Sequence, residues 1–179
     1  MPRALTLSLR GIALVAVLGL LALLVWRVAH QSKPVKLGAR APAFDLARLD
    51  GSGRLASSAL AGKVRVLNFW ASWCGPCKAE SAALEGLWRQ YRPQGVAFVG
   101  IDYNDVTSDA RRFVERHGLT YPIVRDRDGM TGDRYDITAV PETFVVDRRG
   151  RLVDHLLGPI DKGDNVDAFA DALRTALRS

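Results

Sequence analysis

The two cysteines of the chain stand three residues apart, in the segment WCGPC at positions 73–77. A pair this close cannot brace distant parts of a fold, so a disulfide between them is suited to exchange with other thiols. A structural zinc site needs about four ligands, whereas His30, His117 and His155 are scattered singly and are expected at the surface or in a linker. The pattern favours thiol-disulfide exchange and indicates no bound metal.

A predicted strand and a predicted helix flank this pair. Residues 64–70 form a β-branched and aromatic run of strand length, and residues 78–91 carry apolar side chains at helical spacing. Pro76 suits the first turn of a helix, where its missing N–H is no loss, and Gly75 permits a tight turn. The cysteines are therefore expected at a strand-to-helix junction.

Cys74 would lie at the amino terminus of that helix, where free backbone N–H groups stabilise a thiolate. We therefore expect Cys74 to be the attacking nucleophile. Cys77 lies one turn further along the helix and is expected to be more buried. It would resolve the mixed disulfide by attacking Cys74 and releasing the reduced substrate.

The amino terminus carries a candidate membrane helix. Residues 11–26 are uncharged and almost all apolar, between Arg10 and Arg27, and at about 1.5 Å per residue they cover roughly 24 Å. A cleaved signal peptide is the alternative, but Arg27-Val28-Ala29 offers no small-x-small cleavage site. The sequence thus predicts an uncleaved anchor over residues 1–29, a tether over residues 30–43 and a catalytic domain over residues 38–179.

The net positive charge of the chain comes mainly from its amino-terminal residues. Five of the 25 Lys and Arg residues and none of the 19 acids lie in residues 1–37, so the rest of the chain is nearly neutral. Arginines at positions 111–112 and 148–151 form short runs, which are more often solvated faces or turns than phosphate sites. A nucleic-acid partner is therefore not expected.

The remaining pattern predicts a mixed α/β sheet flanked by helices. A strand is expected over residues 96–103, a helix from Ser108 or Asp109 to His117, and a hairpin of residues 142–146 with 151–157. A final helix should begin at Asp164 or Asn165 and end near Arg178. The aromatic residues expected in the core are Phe69, Trp70, Phe98, Phe113, Phe144 and Phe169.

Three segments carry a family resemblance: FWASWCGPCK at 69–78, GIDYND at 100–105 and VPETF at 140–144. They resemble the thioredoxin fold and, more narrowly, the membrane-anchored thiol-disulfide oxidoreductases of cytochrome c biogenesis, the CcmG/DsbE type with ResA and TlpA as relatives. The resemblance covers about residues 38–178. It implies a thioredoxin-like mixed sheet preceded by one transmembrane helix.

Transferred to this chain, the resemblance makes Pro141 a cis-proline whose loop, with Val140, offers its backbone to substrate beside Cys74. Trp73 is expected to be partly exposed for substrate recognition, and Tyr103 and Asp105 to line the groove.

The resemblance also places two acids, Glu80 and Glu142, near the cysteines as acid-base groups. The alternative role of Glu80 is a carboxylate that complements the helix amino terminus, and the alternative for Glu142 is a solvated acid on a strand. Asn68 stands where thioredoxins usually have a buried Asp, and an amide cannot accept a proton at ordinary pH. Acid-base work would then pass to Glu80, to Glu142 or to water.

The resemblance implies a membrane-tethered disulfide reductase without cofactors. Its client would be the haem-attachment cysteines of an apocytochrome c, and a membrane donor of the DsbD or CcdA type would recharge it. We expect a single-pass protein of the inner (cytoplasmic) membrane with its domain on the periplasmic or extracytoplasmic side. The charges flanking the anchor are nearly balanced, so this orientation comes from the resemblance.

Three alternatives stay open at this point. One is reduction of copper-site cysteines in oxidase assembly, and another is a noncovalent client or copper chaperone, although the chain lacks Met-rich or His-rich stretches. The third is an oxidant of the DsbA type, which needs a more strongly stabilised thiolate than this segment indicates.

Overall fold

A computed structural model of the protein describes residues 2–29, 36–161 and 163–179, with the side chains of residues 11–26 in the first range. The chain divides into two compact units, Met1–Lys33 and Pro34–Ser179. The described residues of the first unit form one helix, α1 (Pro2–Ala29). No helix within the described residues has the length and apolarity needed to cross a membrane. The membrane anchor therefore stays a prediction, and most of the tether, with His30, lies outside the described residues.

The second unit contains a mixed sheet, as the sequence predicts, and this sheet has seven strands. Its spatial order is β2-β1-β5-β4-β3-β6-β7; β3, β4 and β5 are parallel and the other neighbours are antiparallel. The strands are β1 (Asp45–Arg48), β2 (Arg54–Ala56), β3 (Arg65–Trp70), β4 (Ala97–Tyr103), β5 (Ile123–Asp126), β6 (Glu142–Val146) and β7 (Leu152–Leu157).

Four helices connect or follow these strands: α2 (Gly75–Tyr91), α3 (Thr107–His117), α4 (Met130–Tyr135) and α5 (Asp164–Arg178). The crossovers through α2 and α3 both move in the same direction along the sheet, so right-handed connections place these helices on one face. Their apolar side chains form one core with α5, and α4 and the segment before β3 cover the other face. All six aromatic residues expected in the core are buried.

Several boundaries and elements differ from the sequence-based expectation. Helix α3 begins at Thr107 after Val106, not at Ser108 or Asp109, and Asp105 Oδ1 accepts a hydrogen bond from Val106 N at 2.6 Å. The sequence-based prediction did not include the β1–β2 hairpin or α4. Helix α4 is only six residues long and contains Gly132, so its pattern is too short to predict a helix.

Strand β3 distributes its side chains between the two cores. Val66 and Trp70 pack with α2, α3 and α5, whereas Leu67 and Phe69 pack on the other face. This follows from the two-residue period of a strand. The same alternation places Asn68 on the α2 face and Arg65 on the face that carries Leu67.

Phe169 of α5 is fully buried and its ring lies 6.3 Å from that of Phe98. Phe169→Ala should lower the free energy of unfolding by about 3–5 kcal/mol, because it removes apolar contacts and leaves a cavity. Urea unfolding of the oxidised protein measures this. Arg174→Ala, at an exposed site of the same helix, should change the free energy of unfolding by less than about 0.5 kcal/mol. Equal effects of the two substitutions would contradict the assigned packing of α5.

Candidate active site

The two cysteines form a disulfide at the carboxyl end of β3, where α2 begins. Their sulfurs are 2.01 Å apart. Cys74 is the N-cap of α2, and its Sγ accepts a hydrogen bond from Cys77 N at 3.1 Å. Pro76 lies in the first turn, as the sequence predicts. A thiolate at Cys74 would thus lie at the positive end of a 17-residue helix, which lowers the pKa of a thiol.

Burial hardly distinguishes the two cysteines in this oxidised form, in contrast to the expected difference. Cys74 and Cys77 are both almost fully buried. Position distinguishes them instead, since Cys74 precedes the helix and Cys77 lies inside its first turn. Beside them Trp73 is 62% exposed, which agrees with the partial exposure expected of it.

The loop before β6 meets the cysteine pair. Cys74 Sγ lies 3.4 Å from the carbonyl oxygen of Val140, and the Val140–Pro141 peptide bond is cis. A sulfur in a disulfide has no proton to donate, so this contact becomes a hydrogen bond only when Cys74 is a thiol. The structure thus brings Cys74, Val140 and Pro141 together.

Asp105 holds the loop that leads into Cys74. Its Oδ2 accepts from Ser72 N at 2.5 Å and its Oδ1 accepts from Ser72 Oγ at 2.9 Å. Arg125 Nη2 in turn donates to the Asp105 carbonyl oxygen at 3.1 Å. The role expected of Asp105 was to line the groove; its carboxylate instead fixes the backbone two residues before the cysteine.

Glu80 is buried on α2, three residues beyond Cys77. The residue is only 1% exposed to solvent. Oε1 accepts from Asn68 Nδ2 at 2.9 Å and Oε2 accepts from Ile160 N at 3.0 Å. Burial raises the pKa of Glu80 to about 7, although the hydrogen bonds from Ile160 and Asn68 oppose the rise. Glu80 can therefore exchange a proton near neutral pH.

The Asn68 amide makes two buried hydrogen bonds that connect separate elements. Its Nδ2 also donates to Thr143 Oγ1 at 3.0 Å, so one amide links β3, α2 and β6. The amide cannot titrate, but it orients the carboxylate that can. This role depends on three distant segments, and the sequence offered only the absence of the usual Asp as a signal.

Glu142 is buried on the far side of the cis-proline from Val140, and is not a solvated strand acid. Its Oε1 accepts from Thr138 N, Thr138 Oγ1 and Ala139 N, each at 2.9 Å. Burial alone would raise the pKa of Glu142, but the hydrogen bonds from His155, Ala139 and Thr138 outweigh it and hold the pKa below its ordinary value. Glu142 is thus an ionised anchor for the residues that precede Val140, and not a group poised to release a proton.

His155 completes this anchor, in contrast to the surface or linker position expected of it. Its Nε2 lies 2.7 Å from Glu142 Oε2, and its ring stacks on Phe144 with centroids 4.0 Å apart. A lone histidine in the second strand of a predicted hairpin gave no signal of this contact.

Tyr103 lies apart from the cysteines. It is partly buried and packs on the second core, where a Cβ added to Gly132 of α4 would come within 2.3 Å of its ring. No hydrogen bond or ring contact joins it to the pair among the residues that the structure describes. Within the same residues, no group of three or more His, Cys, Asp or Glu side chains could hold a metal ion.

Comparison with known proteins agrees with this geometry. Residues 37–155 match the AhpC/TSA family. The thiol-disulfide oxidoreductases ResA of Geobacillus thermodenitrificans and Bacillus subtilis are 34% and 33% identical to the chain, over 73% and 68% of its length and 74% and 67% of theirs. A crystal structure from Chlorobium tepidum, described as a thiol:disulfide interchange protein DsbE, superposes with a TM-score of 0.74 at 27% identity, covering 80% of this chain and 99% of that one.

Glu80 should make stability depend on pH. Its folded pKa of about 7 exceeds its ordinary value of 4.5, so the folded state binds more protons in that window and the free energy of unfolding falls as pH rises through it, on the order of 3 kcal/mol in all. Burial and the charge of Asp105 also raise the pKa of Asp102 to about 7, so Asp102 adds a similar slope. Glu80→Gln should remove about half of the total slope, measured by urea unfolding of the oxidised protein from pH 4.5 to 8.

Glu115, which is exposed on α3, offers a control for that experiment. Glu115→Gln should leave the slope between pH 4.5 and 7 unchanged. A Glu80→Gln protein that keeps the full slope would show that the Glu80 carboxylate titrates below this window.

Glu142→Ala should loosen the loop before Pro141. The substitution leaves the N–H groups of Thr138 and Ala139 without an acceptor, and a lost buried hydrogen bond is worth about 1–3 kcal/mol, or tenfold or more in an opening equilibrium. Hydrogen exchange of the peptide containing these two amides should become at least about tenfold faster. Glu142→Gln retains one oxygen acceptor and should show a smaller change. Unchanged exchange in Glu142→Ala would contradict the anchoring role.

Proposed function

This chain belongs to the AhpC/TSA family of thioredoxin-fold proteins and is a thiol-disulfide oxidoreductase of the ResA and DsbE type, a protein-disulfide reductase; from that premise we propose that it reduces the haem-attachment cysteines of apocytochrome c. One observation carries the proposal: Cys74 Sγ lies at the start of α2 and 3.4 Å from the backbone carbonyl that precedes cis-Pro141. Trp73, beside the cysteine, is exposed and can contact a polypeptide client there.

The reaction exchanges one disulfide for another. The Cys74 thiolate attacks one sulfur of the client disulfide, so a mixed disulfide forms and the first client thiolate leaves. The Cys77 thiolate then attacks Cys74 Sγ, the mixed disulfide breaks, and the second client thiolate leaves. The client gains two electrons, and the two client thiolates take up protons. The protein is left with the Cys74–Cys77 disulfide that the structure contains.

The acids have separate parts in this reaction. Glu80, with its pKa of about 7, is suited to take the proton from Cys77 as that thiol becomes the resolving nucleophile. Glu142 stays ionised and holds residues 138–139, and through them the Val140 carbonyl. Glu80 is a proton acceptor in this scheme, and Glu142 is a positioning residue.

The surroundings of the cysteines favour a reductant over an oxidant. A strong oxidant of this chemistry needs a highly stabilised thiolate. Cys74 receives one backbone N–H bond, and a buried ionisable group on α2, Glu80, is an acid, whose ionised form raises the pKa of a nearby thiol. The two thiols are therefore good donors of electrons to a client.

We place the domain outside the cytoplasm, held at the inner (cytoplasmic) membrane by the predicted anchor over residues 1–29. The apolar run of residues 11–26 supports this location. Disulfides persist in clients in such an oxidising compartment, so the spent protein needs two electrons and two protons from a membrane dithiol donor of the DsbD or CcdA type. Without that donor each molecule would turn over once.

Cys77→Ala should trap the client, because Cys74 still attacks but nothing resolves the mixed disulfide. The variant is expressed as the full chain in its own membrane, and the adducts are identified by mass spectrometry after alkylation. The expected adduct is apocytochrome c, linked through a cysteine of its Cys-x-x-Cys-His segment. The control, Cys74→Ala with Cys77→Ala, should capture nothing.

The outcome separates the alternatives. Adducts with a copper-site protein of an oxidase would overturn the cytochrome assignment but keep the reductase chemistry. A client that co-purifies equally with the double variant would instead indicate a noncovalent chaperone.

A further inference from the structure

A second concave site lies at the amino-terminal end of β3, away from the cysteines. It has a volume of about 210 Å³ and lies between the segment of residues 57–62 and the turn between β6 and β7. About 30 Å³ holds one water molecule in the liquid, so the cavity has room for a small polyatomic ion. The lining includes Arg40, Ser57, Ser58, Arg65, Arg149 and Gly150.

Arg65 makes the site unusual. The residue is 9% exposed, and its Nε is buried without a hydrogen-bond partner. In the part of the chain that the structure describes, its guanidinium donates to no carbonyl or carboxylate. Burying an unpaired cation is strongly unfavourable, and burial lowers the pKa of Arg65, although the charge of Asp147 opposes this. The guanidinium lacks the anion that its burial requires.

The acid next to Arg65 is already engaged. Asp147 Oδ1 accepts from Arg151 N at 2.7 Å, within its own turn. None of the residues that line the cavity is acidic, whereas four are arginines. Arg40 and Arg149 are exposed at its rim, and Arg148 Nη1 donates to the Leu177 carbonyl oxygen. The cavity is therefore strongly positive.

The turn is shaped to admit the guanidinium. Gly150 has a φ of +80°, and a Cβ at this position would come within 3.0 Å of Arg65 Nη2. A larger residue would be strained and would crowd the arginine. Ser57 and Ser58 also line the cavity, so it has neutral hydroxyl donors as well as charged ones.

We propose that this cavity binds a phosphate-type oxyanion, with two of its oxygens held by the Arg65 guanidinium and the rest by Arg40, Arg149 and the two serine hydroxyls. An arginine fork matches a phosphate or sulfate group through two parallel hydrogen bonds. The group can belong to a free ion or to the headgroup of an anionic lipid. The two sources share this chemistry, and titrations with inorganic phosphate and with phosphatidylglycerol distinguish them.

The site is separate from the disulfide chemistry. Arg65 and Trp70 are the first and last residues of β3, about 16 Å apart at the rise of a strand, and the cysteines follow Trp70. Binding of an oxyanion at this site and reduction of a client disulfide can therefore be tested independently.

The test uses the oxidised full-length protein in a nonionic detergent. Sodium phosphate is titrated at constant ionic strength against sodium chloride, and the thermal midpoint and calorimetric heat are recorded. In a second arm the micelles contain phosphatidylglycerol or, as a neutral control, phosphatidylcholine. We expect saturable binding of one phosphate group per chain in one of these arms. Arg65→Gln should weaken it at least about tenfold.

Arg116→Gln is the matched control, since it removes one exposed arginine of α3 that does not line the cavity; its affinity should stay within about twofold of the parent. If Arg65→Gln does not fold, the double variant Arg40→Gln with Arg149→Gln, confined to the rim, should weaken binding instead. Saturation by inorganic phosphate assigns a free ion, and saturation by phosphatidylglycerol alone assigns a headgroup. Absence of saturation in both arms, or equal weakening by Arg116→Gln, overturns the proposal.

Discussion

The hydrogen bond between Asn68 and Glu80 is the contact on which the redox centre depends. It crosses from the central strand β3 to the helix that carries both cysteines, and the same amide reaches Thr143 while the carboxylate reaches the Ile160 backbone. Four segments thus converge on one buried acid, in a region where unsatisfied polar groups are strongly unfavourable. The arrangement fixes α2 against the sheet and leaves a titratable group below the disulfide.

Two buried glutamates with opposite electrostatic surroundings divide the work at this centre. Glu80 receives two hydrogen bonds, and burial prevails, so its pKa rises. Glu142 receives four, including one from His155, and these prevail, so its pKa falls. Hydrogen bonding and desolvation of the charged form act in opposite directions, and the balance between them decides which glutamate remains charged.

Local pattern was sufficient for the elements that carry the cysteines. The apolar run of β3, the helical spacing after residue 78 and the Gly75-Pro76 pair identified the junction from neighbouring residues alone. Helix α4 was missed because its six residues are too few to show a helical period, and its first turn is fixed by the Asp126 carboxylate, which accepts from Thr131 N and Gly132 N. His155 and Asn68 act through partners 13 and 75 positions away, and no alternation or spacing within a short window reports such contacts.

Strand β3 is six residues long and carries different chemistry on its two faces. Asn68 faces the redox helix and Arg65 faces the opposite layer, three positions earlier. Deleting or inserting one residue between them would invert one half of the strand, and would turn either the amide or the guanidinium towards the wrong layer. Removing two residues would preserve the faces but shorten the sheet by a full pleat. The length of this strand is therefore under a parity constraint, and natural or engineered variation in the chain is far more easily accommodated in the loops at its ends than within it.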